Sequence, residues 1–242
     1  MERIEVENIG KVTLKWGLRY KTVKLKISAK EGIVLTFPHE FDKSKAMQLL
    51  YNNIAWVKKN AQKAKQEFKQ YIFTEHEIIH SKYRKIEIKR HLSKNIKLHA
   101  DNTSAIIYIP EQTNLHTIQS QESIRKMYEV ILKNEAEHYI MPRAISTAQK
   151  HKIQYNSFSI RPSRTRWGSC SSINKITFSS YLVLLPEHLI EYVIYHELAH
   201  VQEKHHQKSF WTHLQKLLPN AIQLDEEMRN YRTLYLNKIN MD

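Results

Sequence analysis

Between residues 22 and 28 apolar Val23, Leu25 and Ile27 alternate with Lys24 and Lys26. That period of two predicts a strand with one buried face and the lysines on the wet one. Residues 32–37 (GIVLTF) predict a second strand, ended by Pro38. From Asp42 to about Gln70 the period becomes helical. Met47, Leu50, Ile54, Val57, Ala61, Ala64 and Phe68 recur at steps of three and four, the stripe of a helix packed on a sheet, with Asp42 as its N-cap. Short strand-like pieces follow at 72–79, 85–89, 96–99 and 105–109. Residues 110–121 are polar, lack apolar periodicity and read as a linker. A helix then starts near Ser123 and runs to about His151, with Pro142 forcing a kink or a restart. Residues 158–160 and 176–185 are strand-prone around a polar turn at Asn174, and Pro186 with Glu187 suits the first turn of another helix. No internal repeat is evident. The expected class is α+β: a β-rich region over 1–120 with one long helix at about 42–70, then a second domain over 121–242.

Composition narrows the function. The four glycines, Gly10, Gly17, Gly32 and Gly168, cannot be assembled into either common phosphate loop. The one cysteine, Cys170, excludes an intrachain disulfide framework. A charged N-terminus and the lack of any run near 18 apolar residues set the expectation of a cytoplasmic protein without a membrane span. The net charge is 38 − 24 = +14. Such a balance attracts polyanions, so nucleic acid enters as a possible partner, although the lysines are spread along the chain and equally suit a solubilising surface.

The helix after Pro186 contains His196-Glu197-Leu198-Ala199-His200. Two histidines four apart lie one turn along the helix and about 40° around it, so both imidazoles can chelate one zinc ion. Glu197 can then act as general base on a water that the metal activates. Chance placement gives roughly 0.07 matches to this pattern in a chain of this length, and this match falls on an apolar helix. Catalytic zinc usually takes a third protein ligand, for which Glu203, His205, His206 and His213 are the candidates. On a straight helix position 206 points about 240° away from position 200, so the chain must turn back after about Gln202 for His206 to bind. The step of six favours His206, the metzincin spacing, although Glu203 replaces that pattern's glycine and no Met-turn is found. His205 could supply a left-handed turn. Among other residues, Arg166 and Arg164 could hold a substrate carboxylate or phosphate, while Arg161, Arg164 and Arg166 could equally pair with surface acids. Phe210 and Trp211 suit a brace for the turn carrying His206. Tyr192 and Tyr195 suit packing better than an oxyanion contact, and Cys170 suits a packed position better than a ligand.

The run Arg166-Trp167-Gly168-Ser169-Cys170, then Leu185-Pro186, Tyr192 to His200, His206 and Phe210-Trp211 resembles the YgjP-like metallopeptidase family of compact zincins, related to the SprT-like and WLM groups. The resemblance covers residues 161–219 best. It implies a zincin-like C-terminal domain with one zinc per chain on His196, His200 and His206, and Glu197 catalytic. His205 departs from the family's usual asparagine before the third ligand. Some members are described as UTP pyrophosphatases, so the resemblance leaves peptide and nucleotide substrates open. Three functions are therefore weighed: a zinc metallopeptidase, with a peptide lying along the strand at 176–183; a metal-dependent nucleotide pyrophosphatase; and a basic nucleic-acid-binding protein with a structural metal. The last leaves Glu197 without a task.

Overall fold

The computed structural model of the chain describes residues 1–28, 31–70 and 72–230, with the side chains of 65, 67–70 and 230 outside the description. Two compact units divide between Ile72 and Phe73. In the first, β1 (Glu2–Val6), β2 (Gly10–Trp16), β3 (Lys24–Ser28) and β4 (Gly32–Phe37) precede helices α1 (Lys43–Asn52) and α2 (Ile54–Gln70). The sheet order is β1-β2-β4-β3. Val12, Leu14, Ile33, Leu35 and Phe37 form its buried face, and Ala46, Leu50 and Val57 of the helices join them. Asp42 is the N-cap, its side chain accepting from the Ser44 N–H. The expected single helix is broken at Asn53, whose amide donates back to the Leu49 carbonyl and competes with the helical ladder. Phe68, the last position of the expected stripe, lies outside the described side chains.

The second unit holds β5 (Ile79–His80), β6 (Lys85–His91), β7 (Lys97–Ala100), β8 (Ser104–Pro110) and the long helix α3 (Ile118–Lys150). Next come β9 (Ser157–Arg161), β10 (Gly168–Cys170), β11 (Lys175–Ser179), a 3-10 turn (Ser180–Leu184), and helices α4 (Glu187–Ala199), α5 (Lys208–Leu217) and α6 (Ala221–Asn230). Of the strand expected at 72–79, only its last residue, Ile79, is in a strand. Pro142 neither ends nor restarts α3. It sits on the exposed face, where water can satisfy the carbonyl one turn back. Among the described residues no helix is long and apolar enough to cross a membrane.

A repeat invisible in the sequence emerges here. The second sheet has the order β5-β6-β8-β7, the same pattern as β1-β2-β4-β3. In both, the first pair is antiparallel, the central pair parallel and the last pair antiparallel. Register agrees as well. Ile4 lies opposite Val12, Val12 beside Ile33 and Leu25 opposite Leu35; Ile79 lies opposite Ile86, Ile86 beside Ala105 and Leu98 opposite Ile107. Each module then reaches a proline, Pro38 or Pro110, and enters a helix. The expectation of no internal repeat is corrected: the chain carries two copies of a four-strand-plus-helix module.

The boundary expected at residue 120 falls inside the second unit, where β6 and β8 share one core with α3 through Ile86, Ile107, Ile124 and Tyr128. The polar stretch 110–121 misled because it runs into the first turn of α3, where its last residue is buried. Gln121 is fully enclosed; its Oε1 accepts from the Phe73 N–H at 2.7 Å, and its Nε2 donates to the carbonyls of Phe73 and Leu115 at 3.0 and 2.7 Å. Removing that amide takes a hydrogen bond from three backbone groups. Gln121→Ala is expected to cost about 2–4 kcal/mol in denaturant unfolding, whereas Gln119→Ala on the exposed face should change stability by less than about 0.5 kcal/mol.

Candidate metal centre

Helix α4 starts at Pro186, which fixes the entry backbone, and Glu187 occupies its first turn. It is buried nearly all round, with Leu189, Ile190, Tyr192, Val193, Ile194, Tyr195, Leu198 and Ala199 in the core, as expected of a helix enclosed by other elements. The helix ends at Ala199 with His200 as its C-cap. The chain turns back there, two to three residues earlier than expected, and α5 begins at Lys208. This early end brings His206 to the other two histidines. Nε2 of His196 lies 3.2 Å from Nε2 of His200 and 3.0 Å from that of His206, and the third separation is 3.1 Å. Phe210, fully buried on α5, lies under all three rings, with centroids 4.5–5.0 Å away.

Hydrogen bonds fix how two of these rings carry their protons. Nδ1 of His200 is 2.8 Å from the Glu203 carbonyl, which can only accept, so Nδ1 holds the hydrogen and Nε2 keeps its lone pair. Nδ1 of His196 is 3.1 Å from the Tyr192 hydroxyl, which itself donates to Asp225 Oδ1 at 2.7 Å. With its one hydrogen committed to the carboxylate, the hydroxyl oxygen accepts from Nδ1–H, and Nε2 of His196 is bare too. Burial pushes His196 down to about 3, helped by the charges His200 and His206 would carry, and lowers His200 as well. Neutral imidazoles with converging lone pairs are the donor set that a tetrahedral zinc ion accepts: bonds of about 2.0–2.1 Å to each nitrogen place the nitrogens roughly 3.3 Å apart. Among the described residues this trio is the group of side chains able to hold a metal ion.

Glu197 follows His196 on α4 and is 5% exposed. Its Oε2 is buried without a hydrogen-bond partner. Burial pushes its carboxyl up to about 8, against the pull of the Arg166 charge. Gly168 makes room for it: a Cβ there would lie 2.5–2.7 Å from the Glu197 side chain. Reading the sequence passed over this glycine except as part of a shared run, because its need arises only from a helix that is distant in sequence. The hairpin of β10 and β11, turned at Asn174 with φ 57°, is held beside the site by Lys204, which donates to the Ser171 carbonyl and Asn174 Oδ1.

Other expected residues fall differently. Arg164 is half-buried and bound to Glu129 of α3 at 2.9 Å, so its guanidinium is committed within the fold. Arg166 is exposed and close enough for its charge to act on Glu197. His205 is exposed, lies outside the trio and is absent from the positive-φ residues, so it does not make a left-handed turn. The Glu203 carboxylate accepts from Ser209, and Cys170 sits 3.6 Å from Lys204 Nζ, outside the trio. The hydroxyl of Tyr195 faces His151 at 3.3 Å, and that of Tyr192 lies behind His196, so neither faces the open side of the trio. The strand expected to receive a peptide is interior: β11 pairs with β10 on one side and β9 on the other, and residues 180–184 form a 3-10 turn. The edges of this sheet are β9, which packs against α3, and β10, which packs against α4.

Two outcomes follow for this site. Gly168→Ala should displace the Glu197 carboxylate and lower kcat by about 100-fold, with metal content unchanged by atomic absorption. The acidity of Glu197 sets a pH trend in the metal-free protein. Its folded value, about 8, lies above its ordinary 4.5, so the stability it contributes is complete below pH 4.5 and lost as pH rises through about 8. Metal-free Glu197→Gln, which has no charge to bury, should therefore gain Tm relative to wild type as pH goes from 5 to 9 in calorimetry.

A family model for the YgjP-like metallopeptidase domain matches residues 21–231. No curated protein matches. Among solved structures, the metallopeptidase zymogen abylysin of Pyrococcus abyssi is 23% identical with a TM-score of 0.34, over 38% of this chain and 92% of its own. The zymogen jannalysin of Methanocaldococcus jannaschii is 20% identical with the same TM-score, over 38% of this chain and 94% of its own. With most of its length matched by that domain, the chain belongs to the YgjP-like metallopeptidase family.

Proposed function

We propose that the protein is a zinc-dependent peptidase in which His196, His200 and His206 hold the metal and Glu197 is the general base. The observation carrying this reading is the convergence of three Nε2 atoms within 3.0–3.2 Å beside a buried carboxylate oxygen that has no partner. Three donors rather than four among the described residues favour a catalytic site over a structural one, because a position stays open. Bound there, zinc supplies the Lewis acid that polarises a carbonyl and acidifies water, and its charge draws the Glu197 pKa down to where a base is useful.

Glu197 then takes the proton of the attacking water on a carboxylate oxygen and passes it to the departing amine nitrogen. Its burial keeps bulk water from competing for that proton. Arg166 supplies a fixed positive charge near the carboxylate for a substrate anion or the developing oxyanion. A peptide is proposed to lie along β10. Trp167 O and Ser171 N are bonded to β11, so alternation turns the backbone N–H and C=O of Gly168 and Cys170 away from β11. An extended chain can add there as a further strand.

The test is turnover of casein by zinc-loaded protein, with nucleoside triphosphates in a parallel assay. Casein cleavage in wild type and a loss of about 10²–10⁴-fold in Glu197→Gln, with zinc content equal, is expected. Cleavage of triphosphates alone would move the substrate to the nucleotide reading. Turnover unchanged in Glu197→Gln would remove Glu197 from the reaction.

A further inference from the structure

Tyr192 stands four residues before His196 on α4, so both side chains share one face of the helix. The tyrosine is 3% exposed, yet its hydroxyl has two partners. It donates to Asp225 Oδ1 at 2.7 Å and lies 3.1 Å from Nδ1 of His196. Asp225 belongs to α6, where Arg229 one turn later binds its other oxygen. A chain of contacts thus runs from a surface arginine, through a carboxylate and a phenol, to the back of one imidazole.

The order of protons along it has one solution. An ionised carboxylate only accepts, so the phenolic hydrogen points at Asp225. The phenolic oxygen is left to accept, and the hydrogen it accepts must be on Nδ1 of His196. Nε2 is thereby committed as a lone-pair donor and faces His200 and His206. His200 achieves the same end through the Glu203 carbonyl, within its own turn. His196 depends on a helix 25 or more residues further along the chain.

We propose that Tyr192 and Asp225 are a positioning pair that fixes the tautomer and ring orientation of His196, so that α6 is part of the metal centre without touching the metal. This rests on the reading of the three histidines as that centre. Such outer partners raise the basicity of a ligating imidazole and hold its plane, and their loss typically weakens metal binding about 10- to 100-fold. A competing role for the same contacts is plain docking of α6 on α4. A second tie between these helices provides the control: His188 Nε2 and Glu227 Oε1, 2.8 Å apart and half-exposed.

The experiment measures the zinc dissociation constant of the full chain by chelator competition, together with the Tm of each metal-free variant. Tyr192→Phe and Asp225→Ala are expected to weaken zinc binding by about 10- to 100-fold. Asp225→Asn keeps an accepting oxygen and should recover part of the loss. Glu227→Ala removes the accepting oxygen, cuts the control tie and should lower Tm without weakening zinc binding. Histidine ¹⁵N shifts of zinc-loaded wild type should show Nδ1 of His196 protonated. Zinc affinity of Tyr192→Phe within twofold of wild type would overturn the inference. So would equal losses in Glu227→Ala and Asp225→Ala, which would reduce the pair to helix docking. If Tyr192→Phe fails to fold, the graded comparison of Asp225→Ala, Asp225→Asn and Glu227→Ala decides alone. Wild type that takes up no zinc would refute the metal centre itself, a separate result from an unaltered affinity in the variants.

Discussion

Imidazole nitrogens carrying bare lone pairs repel one another when they face each other at 3.0–3.2 Å, unless positive charge lies between them. His196 and His200 have their other nitrogen committed to hydrogen bonding, so a change of tautomer cannot relieve the repulsion between those two. Protonation is opposed by burial, which holds His196 in its neutral form. A divalent ion is the group that turns this arrangement from costly to favourable, and binding energy of that kind becomes folding energy. The helix that ends early, the aromatic floor of Phe210 and the hairpin tied down by Lys204 all serve to keep these nitrogens together beside Glu197.

The histidine and glutamate pattern of the proposed centre was legible because it is local. His196, Glu197 and His200 lie within one helical turn, so spacing alone sets their geometry, and the family resemblance rests on the same residues. His206 needed the chain to reverse, which spacing can require but not demonstrate; the early end of α4 provides it. Gly168 and Asp225 act through contacts between segments far apart in sequence, and no periodicity marks them; Tyr192 is one turn from His196, but its tie to Asp225 is not local. Arg164 and Arg166 look equivalent as letters, yet one is bound to Glu129 and the charge of the other acts on Glu197.

The larger organisation was legible in its strands and misread in its grouping. Alternation identified β3 and β4, and β6 to β8 nearly in full. It could not show that β1 to β4 and β5 to β8 have the same pairing order, because alternation only says that one face is buried. Any apolar residue keeps that face, so Val12 and Leu14 correspond to Ile86 and Ile88 without visible likeness between the segments. Gln121 hid the true boundary for the opposite reason: a polar letter in a polar stretch stands for one of the most enclosed side chains in the chain.

X-ray absorption on the zinc-loaded wild type, with His206→Ala beside it, probes the central claim most directly. Three nitrogen scatterers at about 2.0–2.1 Å with one further oxygen, falling to two nitrogens in the variant, is the expected result. A sulfur scatterer, a closed set of four protein ligands, or a spectrum unchanged by the loss of His206 would contradict it.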